Sequence, residues 1–64
     1  MSLLDNGPVL IKQLDGDRLY HTWQARYVTI DDIMQMKLCG IHLVIVDEKT
    51  GQDITRQILY RMLN

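Results

Sequence analysis

The sequence predicts an α+β fold: a small antiparallel sheet built from two β-hairpin-plus-helix repeats, with one extra strand in front. Three observations carry that expectation. Tyr20 to Ile33 reads as a strand, a tight turn, a returning strand and a capped helix start. A similar pattern returns twenty-six positions later, in Val46 to Leu59, setting Val28-Thr29 over Ile54-Thr55, Ala25 over Gly51 and Ile33 over Leu59. Self-similarity at a fixed period speaks to the fold as a whole. Ahead of both units, Val9-Leu10-Ile11-Lys12-Gln13-Leu14 has the β-branched content of a strand.

Taken in order, residues 1–8 carry no pattern and read as a flexible N-terminus, and Gly7-Pro8 marks the point from which residues 9–64 form a single domain. Asp15-Gly16 is a hairpin signal, because a type I′ turn needs positive φ and glycine accepts it. Arg18 to His21 is then the second strand, Thr22 to Ala25 a reversal and Arg26-Tyr27-Val28 the third strand. Thr29 followed by Asp32 has the spacing of a capping box, and Asp31 and Asp32 sit at the positive end of the helix dipole. Ile30, Ile33, Met34 and Leu38 form the apolar stripe of that helix, leaving Met36 off it, and Gly40 stops it. Leu43-Val44-Ile45-Val46 is a continuous apolar run, the signature of a strand covered on both faces and central in the sheet. Asp47 to Gly51 turns the chain, Gln52-Asp53-Ile54 returns it, and Thr55, or in second place Asp53, caps a last helix with Ile58, Leu59, Met62 and Leu63 on one face.

The chain has 64 residues, 47% hydrophobic and 23% charged, so it is globular in composition. A domain of this size buries only about 60% of its unfolded surface, which leaves a thin margin of stability. Self-association would add to it, and Ile58, Leu59 and Met62 on the last helix are the candidate contact for a homodimer or higher oligomer. Seven Lys and Arg against eight Asp and Glu give a net charge of -1, so there is no overall field to draw in nucleic acid or anionic lipid. Any such binding needs a local basic face, for which Lys12, Arg18, Arg26, Arg56 and Arg61 are the candidate cations. One cysteine excludes an internal disulfide, and no run has signal-peptide or membrane-spanning character, so a cytoplasmic setting without a membrane partner is expected.

The chemistry of a catalytic site is missing. Ser2 is the only serine. Cys39, three residues before His42, reads as a structural or incidental small hydrophobe. With His21 the pair would still be one ligand short of a zinc site, and no metal or other cofactor is expected. Asp15-Gly16-Asp17 resembles the start of a calcium loop but lacks its later ligands. No nucleophile, base and oxyanion donor assemble, so the chain is not expected to be an enzyme. Trp23, at a turn tip, is either folded back over the sheet or offered to a partner.

Lys12, Arg18-Leu19-Tyr20, Thr22, Tyr27-Val28-Thr29, Asp32-Ile33, Val46-Asp47, Lys49-Thr50-Gly51, Asp53-Ile54-Thr55-Arg56 and Ile58-Leu59 together resemble the N-terminal domain of bacterial polyhydroxyalkanoate accumulation regulators. The resemblance runs over nearly all of Val9 to Leu63. It implies a DNA-binding domain of a transcriptional repressor of phasin and storage-polymer genes, with double-stranded DNA as partner and a link to the polymer granule. Carried onto this chain, the candidate DNA-binding residues are Lys12, Arg18, Tyr20 and Arg56, with Arg26 added by its nearness in the meander. One stretch departs from the family. Where the family reads basic, basic, Tyr-Pro-Asn-Arg, this chain has Lys12, Gln13, Leu14, Asp15, Gly16 and Asp17, which exchanges two cations for two acids. His21 also stands in place of an Asp, and Ala25 where a Gly is frequent. These exchanges keep open the alternative of a protein-interaction or oligomerisation module that has lost DNA binding.

Overall fold

The computed structural model of the chain describes residues 7–63. Residues 1–6 of the patternless N-terminus, and the side chains of Asp17, Met62 and Leu63, lie outside that description. Four strands and two helices follow in the order β1 (Val9–Gln13), β2 (Leu19–His21), β3 (Arg26–Val28), α1 (Ile30–Leu38), β4 (Leu43–Asp47) and α2 (Thr55–Leu63). The fold is α+β as expected, but the sheet is mixed. Its order is β3-β2-β1-β4, with the first three strands an antiparallel meander and β4 parallel to β1. A parallel neighbour requires a crossover, and α1 supplies it.

Alternation along each strand decides where the core lies. Ile11 stands opposite His21 on one side and Ile45 on the other, Val9 opposite Leu43, and Leu19 opposite Val28. All of these are buried on one face, together with Ile33 of α1, Ile54, and Ile58 of α2. Both helices therefore cover the same face of the sheet. Ile58, expected at a self-association surface, is a core residue 2% exposed, so it is unavailable for such a contact; Leu59 beside it is half-buried.

The local signals for α1 hold in detail. Thr29 Oγ1 accepts from Asp32 N–H at 3.2 Å and Asp32 Oδ2 accepts from Thr29 N–H at 3.0 Å, the reciprocal capping box. At the other end Gly40 takes φ 82°, and Ile41 N–H and Gly40 N–H donate back to the carbonyls of Met36 and Lys37, both at 2.9 Å. This is a Schellman ending, which turns the chain so that Ile41 returns over Met36. As a result Met36 packs on the core while Leu38 is 75% exposed, reversing the roles their spacing gave them.

The expected second hairpin is reduced to a single bridge, Val46 to Asp53, so two equivalent hairpin-plus-helix repeats are not formed. β4 is an edge strand and not a central one. Its outer side is covered by the returning segment: Asp47 N–H donates to Gln52 O at 2.9 Å, Ile54 N–H to Ile45 O at 2.7 Å, and Ile45 N–H to Thr55 Oγ1 at 2.8 Å. The Thr55 hydroxyl thus serves the sheet edge and does not cap α2. Asp53 takes the helix end instead, its Oδ1 accepting from Thr55 N–H at 2.9 Å and from Thr55 Oγ1 at 2.6 Å. The turn after β1 also differs in detail, a single 3-10 turn over Asp15–Asp17 with Gly16 at φ 69°, so that β2 begins at Leu19.

Candidate nucleic-acid interface

Because the core claims the odd-numbered positions of β1 and β4, the even ones point to the opposite face, which no described element covers. In register across that face run Tyr27, Tyr20, Lys12 and Val46, one residue from each of the four strands. Leu10 and Val44 form a second, half-buried row. Arg18, two residues before Tyr20, lies on the same side and sets its guanidinium carbon 5.3 Å from the centre of the Tyr27 ring. Tyr20 and Tyr27 meet edge to face, with centroids 5.4 Å apart and planes at 75°. Such pairs and cation–π contacts at exposed sites contribute about 0.5 to 1 kcal/mol each, which biases the rings toward this arrangement. Tyr27 nevertheless remains 52% exposed.

Three of the five candidate DNA-binding residues, Lys12, Arg18 and Tyr20, are therefore brought together on the uncovered face. The other two are not. Arg26 stands opposite His21, so alternation turns it to the helix side of the sheet, where its Nε donates to Gln24 Oε1 at 2.7 Å. Arg56 is exposed on α2, in the helix layer. Tyr27 was missed as a site residue; its cross-strand register with Tyr20 is the signal that finds it.

Lys12 Nζ is 3.3 Å from Glu48 Oε1, in a pair whose side chains are 40% and 51% exposed. A pair this open contributes about 0.5 kcal/mol, so exchanging Glu48 for a phosphate costs little. Lys49 pairs with Asp15 at 3.3 Å and ties the first turn to the one after β4. At α2, the hydroxyl and then the N–H of Thr55 hold the Asp53 carboxyl below its ordinary value of 3.8, and the Arg56 guanidinium lowers it further.

On the helix side, a cleft of about 330 Å³ is lined by residues that include His21, Trp23, Arg26, Asp32, Met36 and Ile41. His21 is buried, and its Nδ1 accepts from Gln24 N–H at 3.0 Å, which fixes the Thr22–Ala25 reversal. Trp23 is 52% exposed at the tip of that turn. Cys39 is exposed at the C-cap of α1, so of the two expected readings, structural or incidental, it is not a buried structural hydrophobe. Among the described residues no three metal-ligating side chains cluster, and no helix is long and apolar enough to cross a membrane.

A helix-backed sheet that presents tyrosines and cations on its free face defines a small binding domain, whose contacts are made over a surface. The chain belongs to the PHB/PHA accumulation regulator DNA-binding domain family, whose model matches residues 10–64. That family is one of DNA-binding regulatory domains and not a class of enzymes. Among curated proteins, the chain is 33% identical over 58 residues to an uncharacterized protein of Allochromatium vinosum, covering 91% of this chain and 38% of that protein. It is 33% identical, again over 58 residues, to a Thiocystis violacea protein described as an uncharacterized protein in the phbA 5′ region, covering 91% of this chain and 42% of that one. The chain thus spans about two fifths of the length of these relatives. No solved structure matches it.

Proposed function

We propose that this domain binds DNA through its uncovered sheet face and serves a transcriptional repressor of polyhydroxyalkanoate genes, phasin genes among them. Membership of a DNA-binding regulatory family supports the class of activity. The observation that carries the choice of surface is the row Lys12, Tyr20 and Tyr27 with Arg18 on the Tyr27 ring. Lys12 and Arg18 are the phosphate contacts and Tyr20 the ring between them. Self-association as a two-fold dimer and a link to the polymer granule belong to the same reading. The outer side of β3 supports the first, because no described element pairs with it.

The test is titration of a labelled duplex at several salt concentrations. Two phosphate contacts give a slope of log K against log salt of about -1.8, and Lys12→Ala and Arg18→Ala should each remove about half of it. Arg26→Ala and Arg56→Ala should leave the slope unchanged. Absence of binding at low salt, or a flat salt dependence, would favour the protein-interaction module instead. Glu48, which pairs with Lys12, is the observation on that side.

A further inference from the structure

We infer that the cleft on the helix side of the sheet, between the Thr22–Ala25 turn and α1, is a binding site for a small carboxylate with an apolar body, held by the Nε2–H of His21 and the Nη groups of Arg26.

The buried donor is the first observation. His21 is 4% exposed, and its Nδ1 accepts from the Gln24 N–H at 3.0 Å. A ring nitrogen that accepts carries no hydrogen, so the imidazole proton sits on Nε2. Among the described residues nothing accepts from it. A buried donor left unmet is costly and seldom tolerated, and His21 lines a cleft open to solution. The turn fixes one ring nitrogen and thereby orients the other toward a ligand.

The cation follows from register. Arg26 stands directly opposite His21 on β3, so both side chains leave the helix side of the sheet as neighbours. Its Nε donates to Gln24 Oε1 at 2.7 Å, and among the described residues neither Nη has an acceptor. A guanidinium braced at Nε still presents two N–H bonds from its outer end, the arrangement that pairs with both oxygens of a carboxylate. Asp32 is the acid that lines the cleft, and its Oδ2 is already committed to the Thr29 N–H at the start of α1. Unmet donors on two residues against one engaged carboxylate decide for an anionic ligand over a cationic one.

The walls set the rest of the ligand. The Schellman ending of α1 returns Ile41 over Met36, and both line the cleft with Trp23 of the turn. Trp23 and Ile41 are 52% and 39% exposed, so apolar surface stands open beside the donors. A volume of about 330 Å³ lies at the low end of the range for small-molecule sites, apolar walls with a few convergent polar groups being their usual composition. None of these residues lies on the uncovered sheet face, so the site stands or falls separately from DNA binding.

The test titrates the chain with benzoate and with hexanoate, each beside its uncharged amide, following the indole N–H signal of Trp23, the single tryptophan, by NMR. Expected is a saturable shift with at least one acid at a dissociation constant of about 1 mM or tighter, which about nine non-hydrogen atoms allow. Benzoate alone marks an aromatic ligand stacked on Trp23, hexanoate alone an aliphatic one. The acid that binds should do so at least about tenfold tighter than its amide. Arg26→Gln and His21→Asn should each weaken it by about tenfold; Asn sets an acceptor near the place of Nδ1 for the Gln24 N–H and loses only the donor at Nε2. Thermal melts show whether each variant keeps the fold, and Arg26 is exposed, so Arg26→Gln decides if His21→Asn unfolds. An amide that binds as tightly as its acid, or acid affinity unchanged in Arg26→Gln or in a folded His21→Asn, overturns the site. No saturable shift with either acid up to about 20 mM overturns it too and leaves the Nε2–H to water.

Discussion

Thr55 holds its sheet edge by a single oxygen, and replacing it with valine isolates that oxygen, because valine keeps the branched shape and loses only the hydroxyl. In the native chain Oγ1 accepts from the N–H of Ile45, a residue 0% exposed, at 2.8 Å and lies 2.6 Å from Asp53 Oδ1. Valine leaves the Ile45 N–H without a protein acceptor on an otherwise covered edge. An unsatisfied buried donor costs about 1–3 kcal/mol, so about 2 kcal/mol is expected. In a domain of this size 1 kcal/mol moves the melting temperature by roughly 4–8 °C, which places Thr55→Val about 8–16 °C below the parent. Thr29→Ala, which removes only an exposed cap, should cost about 1 kcal/mol and half that shift. Thr55→Ser keeps the acceptor and should stay within about 0.5 kcal/mol. Melts followed by circular dichroism give all three numbers. A Thr55→Val shift no larger than that of Thr29→Ala, or a Thr55→Ser shift equal to that of Thr55→Val, would refute the assignment of the hydroxyl to the sheet edge.

Asp53 makes stability depend on pH in a defined direction: its folded pKa lies below the ordinary 3.8, so its contribution is fully present above that value and is lost as the pH falls through the lower, folded one. Asp53→Asn should flatten acid unfolding below about pH 4, seen by comparing melts of the two proteins from pH 7 to 2.5. Ala25 holds φ 53°, a left-handed conformation that costs a residue with a Cβ about 1 kcal/mol, so Ala25→Gly should raise stability by about 0.5 kcal/mol in urea titration once glycine's greater unfolded freedom is subtracted. Ile11, 0% exposed and paired on both sides, should lose about 3–4 kcal/mol on replacement by Ala, which at roughly 4–8 °C per kcal/mol lowers the melting temperature by about 12–32 °C. Sedimentation at high micromolar concentration tests self-association, with monomer alone as the outcome against it.

What was legible in the sequence was what depends on neighbours in the chain. The meander and α1 follow from a turn glycine, β-branched runs and the Thr29 to Asp32 spacing, each complete within a few residues. β4 was misplaced because a continuous apolar run looks the same whether a strand is central or is an edge whose outer side another segment covers. Thr55 was misassigned because it occupies the position equivalent to Thr29 in an apparent repeat, yet tertiary structure brings the Ile45 N–H within its reach. The same division holds for the candidate interface. Lys12, Arg18 and Tyr20 share a face by simple alternation, whereas Tyr27 joins them through a register no local pattern reports. Arg26, adjacent to Tyr27, was excluded by parity once the third strand was fixed.

The parallel pairing of β1 with β4 also bears on how the chain can be divided. Val9 lies against Leu43, thirty-four positions away, so the first strand waits for the second half of the chain before its far side is closed. A fragment ending near Gly40 would present β1 as a bare edge and lack Leu43, Ile45, Ile54 and Ile58 from its interior. The remainder would be one strand and one short helix. Cleavage there should yield two pieces that are unstructured apart and regain order when mixed, and an insertion after Gly40 should slow folding more than it weakens the native state, because lengthening a closing loop adds only slowly to its entropy.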